Sequence, residues 1–211
     1  MIVVPDGSGT VAWAPRQASR YRGSVPSPTP TLRLRPYADA DRWLTESIET
    51  SPVMMADLGG PLPAADIPGI HARRLEGMAA DRLWYFTVEL LPEGSAVGTI
   101  CLWSDAVDGG RRSEAGWAIL HQYQGRGIAT EALRLLLARA RDDGRWGDIH
   151  AFPGLTNGPS NAVCRKAGFA NVGEESVLYA GRELRCNHWV LQAGPEQVAW
   201  TGCGVFVAGS G

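Results

Sequence analysis

Alternating apolar and polar positions along the chain predict a mixed α/β fold with about seven strands and about four helices. Period-two alternation with β-branched and aromatic residues predicts strands at 31–37, 83–91, 96–103, 113–120 and 147–153, and two more joined near "YAGR" within 170–192. Helical spacing predicts helices at 38–49, 67–82, 129–143 and 158–169, and a loop is expected at 105–112. Because strands and helices alternate, we expect one layered domain over residues 31–192.

The two ends of the chain depart from this pattern. Residues 1–30 are rich in Gly, Ser and Pro, which predicts a flexible N-terminal extension outside the core. Residues 193–211 form a second Gly-rich segment. Its "VAW" and "VFV" stretches leave open a short strand or a packing contact, so we treat this segment as a separate C-terminal tail.

Charge and cysteine content exclude several classes of function. The 20 basic and 22 acidic residues give a formal net charge of −2, with no basic run that could follow a nucleic-acid backbone. The cysteines at 101, 164, 186 and 203 form no CxxC pair and no zinc-type spacing, so no metal is expected. Without a secretory signal or a membrane-length apolar stretch, we expect a cytoplasmic protein with no membrane partner.

A glycine-rich turn joins a predicted strand to a predicted amphipathic helix. The segment "HQYQGRGIATEAL" places Gly125 and Gly127 where the first N–H groups of the helix have no intrahelical partners. Such N–H groups and the helix dipole attract an anion, and glycine lets the backbone approach a ligand closely. The turn is neither a P-loop nor a three-glycine dinucleotide motif, because position 130 is Thr and the one lysine is Lys166. Alone, the segment fits an ordinary turn or a pyrophosphate site.

Two motifs together resemble a known enzyme family. The stretch 124–129, "QGRGIA", resembles the Q/R-x-x-G-x-G/A signature of the GNAT N-acetyltransferase superfamily. The stretch 157–169, "NGPSNAVCRKAGF", resembles the N-x-x-S-x-x-V-x-x-K-x-G-F pattern of its ribosomal-protein alanine acetyltransferase branch. The start, "TLRLRPYADAD", is also typical of that branch, and the resemblance covers residues 31–192.

The resemblance implies acetyl-CoA as the co-substrate and a GNAT fold. In that family two central parallel strands, here 115–120 and 148–153, splay apart and the pantetheine lies between them. Backbone groups around Ile119 and Leu120 would then pair with the pantetheine amides. The phosphates would lie on the turn formed by Gln124, Gly125, Arg126, Gly127, Ile128, Ala129 and Thr130. Asn157 would contact the cofactor or a water near the thioester, although Asn-Gly-Pro is equally good loop and helix-start chemistry.

Acetyl transfer to an amine needs a base for the amine proton and an acid for the departing thiolate. The resemblance suggests Glu114 as the base, because it begins the strand that leads into the cofactor site; an exposed strand-end charge is the alternative. Many relatives have a tyrosine acid at the position of Cys164, which is more typical of a small buried hydrophobe. The resemblance therefore suggests the Ser160 hydroxyl as the acid, with helix capping as its alternative.

Histidine and tryptophan positions offer weaker candidates. His150, on the facing strand, could titrate near neutrality, and His121 opens the glycine turn. Trp84, Trp103 and Trp117 could line an acceptor pocket, although aromatic residues at strand positions are usually core residues.

The sequence thus predicts an N-acetyltransferase that moves the acetyl group of acetyl-CoA to a primary amine by direct attack in a ternary complex. The acceptor would be a protein N-terminus or a small-molecule amine. The segment 51–69, where relatives build the acceptor site, is not strongly acidic, which disfavours a polycationic acceptor. A non-catalytic acyl-CoA-binding or interaction module with the same fold is the alternative. Family analogy also suggests a homodimer.

Overall fold

The computed structural model describes residues 30–107 and 110–194. The predicted extension (1–30) and tail (193–211) lie outside these residues, apart from residue 30 and residues 193–194. Both segments, and their boundaries with the domain, therefore stay predictions.

The described residues contain one seven-stranded mixed sheet. Its strands are β1 (Leu32–Pro36), β2 (Leu83–Leu90), β3 (Ser95–Val107), β4 (Gly110–Ile119), β5 (Ile149–Ala151), β6 (Ala170–Tyr179) and β7 (Arg182–Leu191). Their order across the sheet is β1-β2-β3-β4-β5-β7-β6. Only β4 and β5 are parallel neighbours in this sheet, and the other pairs are antiparallel. The predicted mixed sheet with a central parallel pair is confirmed.

Four helices pack on the sheet, as the helical spacing predicted. They are α1 (Arg42–Glu49), α2 (Ile67–Ala79), α3 (Ile128–Asp143) and α4 (Gly158–Ala167). The predicted start of the first helix, at 39–41, is a 3₁₀ turn instead. α3 and α4 contribute to the main hydrophobic core on one face, while α1 packs in a second cluster on the other.

The amphipathic helix α3 organises the main core. Its buried side chains are Ile128, Thr130, Ala132, Leu133, Leu136, Leu137 and Ala140. Because side chains alternate along a strand, Ala115 and Ile119 of β4 face this core and Glu114 faces the α1 side. The alternation of β4 therefore separates the hydrophobic core from the face that carries the candidate base.

The prediction of a loop at 105–112 is wrong for most of that segment. β3 continues to residue 107 and β4 begins at residue 110, so the strands form a long hairpin. Its glycines and charged residues suggested a loop, but Asp105 lies directly opposite Arg112. Opposite charges facing each other across an antiparallel pair stabilise it, and tertiary pairing therefore overrides the local composition.

Candidate functional site

The two central parallel strands separate after a very short ladder. They pair at Ser113–Ile149 and at Glu114–His150. β5 ends one residue later, whereas β4 continues to Ile119. The edge of β4 beyond Glu114 thus has no β5 partner, which is the splayed parallel pair that the sequence predicted.

The end of β4 offers backbone groups to this gap. The Leu120 N–H donates to the Val97 carbonyl (2.9 Å), and the Leu120 carbonyl accepts from the Tyr123 N–H (2.8 Å). Because hydrogen-bond directions alternate along an antiparallel strand, the N–H and C=O of Ile119 point away from β3 and towards the gap. The Gln124 side chain reaches the same place, donating to the Ile119 carbonyl at 2.8 Å. Of the two predicted pantetheine contacts, Ile119 is therefore the better placed.

The glycine turn lies directly before α3, and its two glycines have the left-handed backbone conformation that only glycine adopts easily. Gly125 and Gly127 have φ angles of +74° and +77°, and a Cβ on either would meet nothing within 4 Å. The backbone conformation, rather than crowding, thus requires glycine here. Gly127 is the residue before α3, and no described side chain caps that helix. The first N–H groups of α3 are left for a ligand or water, which is the geometry of an anion-binding helix N-terminus.

The other residues of the turn differ in what they expose. Ile128 and Thr130 bury their side chains, so these positions can offer a ligand their backbone. Ala129 is half-buried. Arg126 is exposed; its guanidinium donates to the Gln122 carbonyl (3.2 Å) at the edge of the turn. Arg126 is thus the turn's cationic side chain available to a phosphate.

The second motif begins with a helix cap. The Asn157 Oδ1 accepts from the Ser160 N–H (3.0 Å), so Asn157 caps α4. Ser160 is half-buried in the first turn, and its hydroxyl is not the cap. Cys164 is fully buried in the main core, and burial raises the pKa of its thiol to about 12, which confirms it as a small hydrophobe. The cofactor contact of Asn157 and the acid role of Ser160 stay predictions.

Glu114 is half-buried at the point where the strands separate. Within the described part of the chain its carboxylate makes no hydrogen bond or ion pair, and its neighbour across β3 is Trp103. Burial raises the pKa of Glu114 from 4.5 to about 7; Arg112 opposes the rise, while Asp105 and Glu175 add to it. A carboxylate that titrates near neutrality is suited to general-base chemistry.

A buried polar network lies on the same face of the sheet as Glu114. Glu49 is 4 % exposed and accepts from the Arg74 guanidinium and from the Tyr179 hydroxyl (3.1 Å). Arg74 also donates to the Thr45 hydroxyl (2.8 Å) and lies over the Tyr85 ring, 4.6 Å from its centre. Burial raises the pKa of Tyr179. The network ties α1 and α2 to β2 and β6, and it was not predicted from the sequence.

The aromatic candidates separate into core residues and one site residue. Trp84 and Trp117 pack against the main core, and the Trp84 ring lies 4.9 Å from that of Trp146. Trp103 lies beside Glu114 in the register and donates its indole N–H to a neighbouring carboxylate on β3. His121 is exposed at the start of the turn. Only Trp103 of these is positioned beside the candidate base.

Comparison with known protein families agrees with this geometry. Residues 31–170 match the family model described as an acetyltransferase (GNAT) domain. The chain therefore belongs to the GNAT acetyltransferase family, as its two motifs predicted. No curated protein sequence matches the chain.

Solved structures share the fold at low sequence identity. The ribosomal-protein-S5-alanine acetyltransferase from Vibrio fischeri has a TM-score of 0.65 and 18 % identity, covering 78 % of this chain and 94 % of that chain. The spermidine N-acetyltransferase from Vibrio cholerae, in complex with CoA and spermine, has a TM-score of 0.65 and 16 % identity, covering 77 % and 95 %. Mycobacterium smegmatis RimJ, in complex with CoA-disulfide, has a TM-score of 0.62 and 22 % identity, covering 79 % and 84 %. The two complexes show that GNAT relatives bind CoA, in agreement with the predicted co-substrate.

Two further findings concern membranes and metals. No helix in residues 30–107 or 110–194 is long and apolar enough to cross a membrane. Within the same residues, no group of three His, Cys, Asp or Glu side chains is arranged to hold a metal ion. The cytoplasmic location and the homodimer stay predictions.

Proposed function

We propose that this chain is an acetyl-CoA-dependent N-acetyltransferase whose acceptor is a primary amine, on a protein N-terminus or a small molecule. The observation that carries the proposal is the position of Glu114 at the last rung of the β4–β5 ladder, where the gap opens. A half-buried carboxylate with a pKa of about 7 is suited to take a proton from the amine as it attacks.

The donor would lie along the free edge of β4 and over the glycine turn. The pantetheine amides would pair with the backbone of Ile119, and the phosphates would accept hydrogen bonds from the N–H groups at 125–130. The left-handed, open conformations of Gly125 and Gly127 support this arrangement, because they leave the backbone accessible. Arg126 would add a positive charge on the solvent side of the phosphates.

The acceptor would approach from the face that carries Glu114 and Trp103. The charge of Arg74 is compensated by the buried Glu49, so the negative charge for an incoming amine would come from Glu114, with Asp105 and Glu175 nearby. Between α1 and α2 the acidic residues are Asp57 and Asp66 alone. This sparse acidity supports an acceptor with one amine at the site rather than a polycation.

Proton transfer would accompany the attack at both ends of the reaction. The neutral amine nitrogen would form a bond to the acetyl carbon, and the C–S bond of the thioester would break. Glu114 would receive the proton that the amine loses. Ser160 would supply the proton that the departing thiolate gains, and its hydroxyl would regain a proton from solvent. Ser160 is half-buried in the first turn of α4, which is compatible with that role.

A pair of matched glycine variants tests the donor site. Gly127→Ala and Gly144→Ala begin from φ angles of +77° and +79°, and a Cβ meets nothing within 4 Å at either position. Each should therefore cost about 1 kcal/mol of folding stability through backbone strain alone. Because Gly144 follows the far end of α3, only Gly127→Ala should weaken CoA binding, by about 10-fold, in calorimetry. Equal CoA affinities of the two variants would argue against phosphate binding at the turn.

An amine panel tests the reaction itself. The protein is incubated with acetyl-CoA and with peptides and small amines, while release of the free thiol is followed. We expect thiol release that depends on one class of amine and yields the acetylated amine by mass spectrometry. Tight CoA binding without turnover on any amine would instead favour the non-catalytic acyl-CoA-binding module, for which Cys164 at the usual tyrosine position is the supporting feature.

A further inference from the structure

Four charged and titratable side chains form a continuous chain of contacts next to Glu114. We call Arg112, Glu175, His188 and His150 the histidine array. Arg112 Nη1 donates to Glu175 Oε1 (2.8 Å), and Glu175 Oε2 lies 3.2 Å from His188 Nδ1. His188 Nε2 lies 2.8 Å from His150 Nδ1. The array draws one member from each of β4, β5, β6 and β7, so the sheet order brings together residues that are distant in sequence.

The contacts of the array fix where its protons lie. Glu175 is ion-paired with Arg112, so its second oxygen accepts and His188 Nδ1 must carry a hydrogen. In neutral His188, Nε2 is then an acceptor, and His150 Nδ1 must donate to it. The open end of the array is thus the lone pair on His150 Nε2. Both neutral rings carry their hydrogen on Nδ1.

Aromatic packing holds the array in place. The Phe152 ring stacks on His188 with centres 4.6 Å apart, and the Arg112 guanidinium lies 4.8 Å from the centre of the same phenyl ring. His150 and Phe152 are nearly parallel, with an angle of 7° between their planes. The imidazole of His150 is therefore oriented by contacts on more than one side.

His150 is the register partner of Glu114 in the parallel ladder. Partners on neighbouring strands are about 4.8 Å apart and point to the same face. We propose that His150 is the proton shuttle of this site, taking from Glu114 the proton that the amine released, with His188 and Glu175 as positioning residues. The inference rests on the function proposed above, because it assigns the next acceptor of the proton on Glu114.

The amine N–H bond breaks and an O–H bond forms on Glu114. The Glu114 proton then moves, directly or through one water, to His150 Nε2 and gives an imidazolium. The Nδ1–H bond to His188, supported by the Glu175 charge, stabilises that cation. His150 is half-exposed and returns the proton from Nε2 to water, which restores the starting tautomer.

The charged surroundings of His150 fit a shuttle rather than a permanent cation. Burial lowers the pKa of His150, and His188 and Arg112 lower it further, while Asp148 and Glu175 oppose them. Burial also lowers the pKa of His188, with Glu175 opposing and Arg112 adding. Both rings are therefore neutral near pH 7. His150 is a weaker base than Glu114, so it would hold the proton only transiently before releasing it to water.

The test uses imidazole rescue in the full-length protein. His150→Ala should lower kcat about 10-fold or more, leave the KM for acetyl-CoA unchanged, and regain activity as imidazole is added, because the free base replaces the missing ring. His188→Asn and Glu175→Gln should give smaller losses. The control, Glu183→Gln, changes an exposed carboxylate on β7 and should behave as wild type with no imidazole dependence. Unchanged kcat in His150→Ala, or a loss that imidazole does not relieve, would overturn the shuttle.

A second measurement does not need turnover. Nitrogen-15 NMR of the neutral histidines should show both His150 and His188 protonated on Nδ1, the less common form of free histidine, and Glu175→Gln should shift His188 towards the Nε2–H form. His150 found as the Nε2–H tautomer would overturn the inference even if no acceptor amine had been found. Absence of turnover in the wild type would count against the proposed function, whereas the tautomers decide the array separately.

Discussion

Replacing Glu114 with Gln separates its contribution to catalysis from its contribution to stability. Gln keeps the size of the side chain and removes its charge and its basicity. Glu114 has no hydrogen-bond or ion-pair partner in the described part of the chain, so the substitution leaves no described donor unpaired. We expect turnover to fall while folding stability rises, which is the signature of a carboxylate retained for function.

The stability gain can be worked from the pKa. Glu114 titrates near 4.5 in the unfolded chain and near 7 in the folded protein, because burial disfavours its charge. Between these values the folded state binds more protons than the unfolded state, so stability falls as pH rises from about 4.5 to about 7. The shift corresponds to at most about 3 kcal/mol once the carboxylate is ionised. Glu114→Gln should therefore be more stable than wild type by up to about 3 kcal/mol near pH 8, with little difference near pH 4.

Two assays measure these effects on the same samples. Urea unfolding at about pH 5 and about pH 8 gives the difference in stability, and a pH–rate profile gives the activity. In wild type, kcat/KM should rise to a plateau with an apparent pKa of about 7. In Glu114→Gln it should fall about 100-fold or more and lose that limb. A stability difference that is the same at both pH values, or an unchanged profile, would refute the reasoning; Glu183→Gln is the control.

Three further predictions concern the supports of the site. Asn157→Ala should remove the α4 cap and lower folding stability by about 1 kcal/mol, whereas Asn157→Ser keeps a cap. Lower turnover in both variants, measured by thiol release, would indicate a cofactor contact. Full activity in Asn157→Ser would indicate that Asn157 is a cap alone. Asn161→Leu should lower the free energy of unfolding, measured in urea, by about 2–4 kcal/mol, because the buried amide makes four hydrogen bonds. A loss below about 1 kcal/mol would contradict this. Arg74→Met should cost about 3–5 kcal/mol by leaving the buried Glu49 carboxylate without its cationic partner, and Arg74→Met/Glu49→Met should recover most of it. No recovery in the double variant would show that the pair does more than compensate charge.

The donor side of the site could be predicted from sequence because it is local. The turn, its two glycines and the helix that follows occupy one continuous segment, and their conformation depends on neighbouring residues. The strands and helices follow from periodicity in the same way, since α3 buries the residues that its spacing marks. The loop prediction at 105–112 was wrong because glycine and charged residues suggested a loop, whereas most of this segment is paired within a hairpin. There the partner strand, which composition does not reveal, decided the structure.

The acceptor side depends on contacts that no local pattern encodes. Arg74 and Tyr179 reach Glu49 across sequence separations of 25 and 130 residues. Arg74 meets Glu49 because α2 packs against α1, and Tyr179 meets it because β6 and β7 return beside β5. One local signal existed: Thr45 and Glu49 lie next to Leu44 and Ile48 on the buried side of α1, and polar residues on such a stripe need buried partners.

This difference has a consequence for how the site can change. Backbone groups at 119 and 125–130 would recognise the donor, and most side-chain substitutions leave such groups in place. The proposed acceptor face would instead be defined by side chains such as Trp103 and Glu114, which come from separate strands. On this proposal, a new acceptor would require new side chains on that face but no change in the turn. The residues that select the amine would therefore lie on the face that carries Glu114 and in the segment between α1 and α2. Neither of the two family motifs includes these residues.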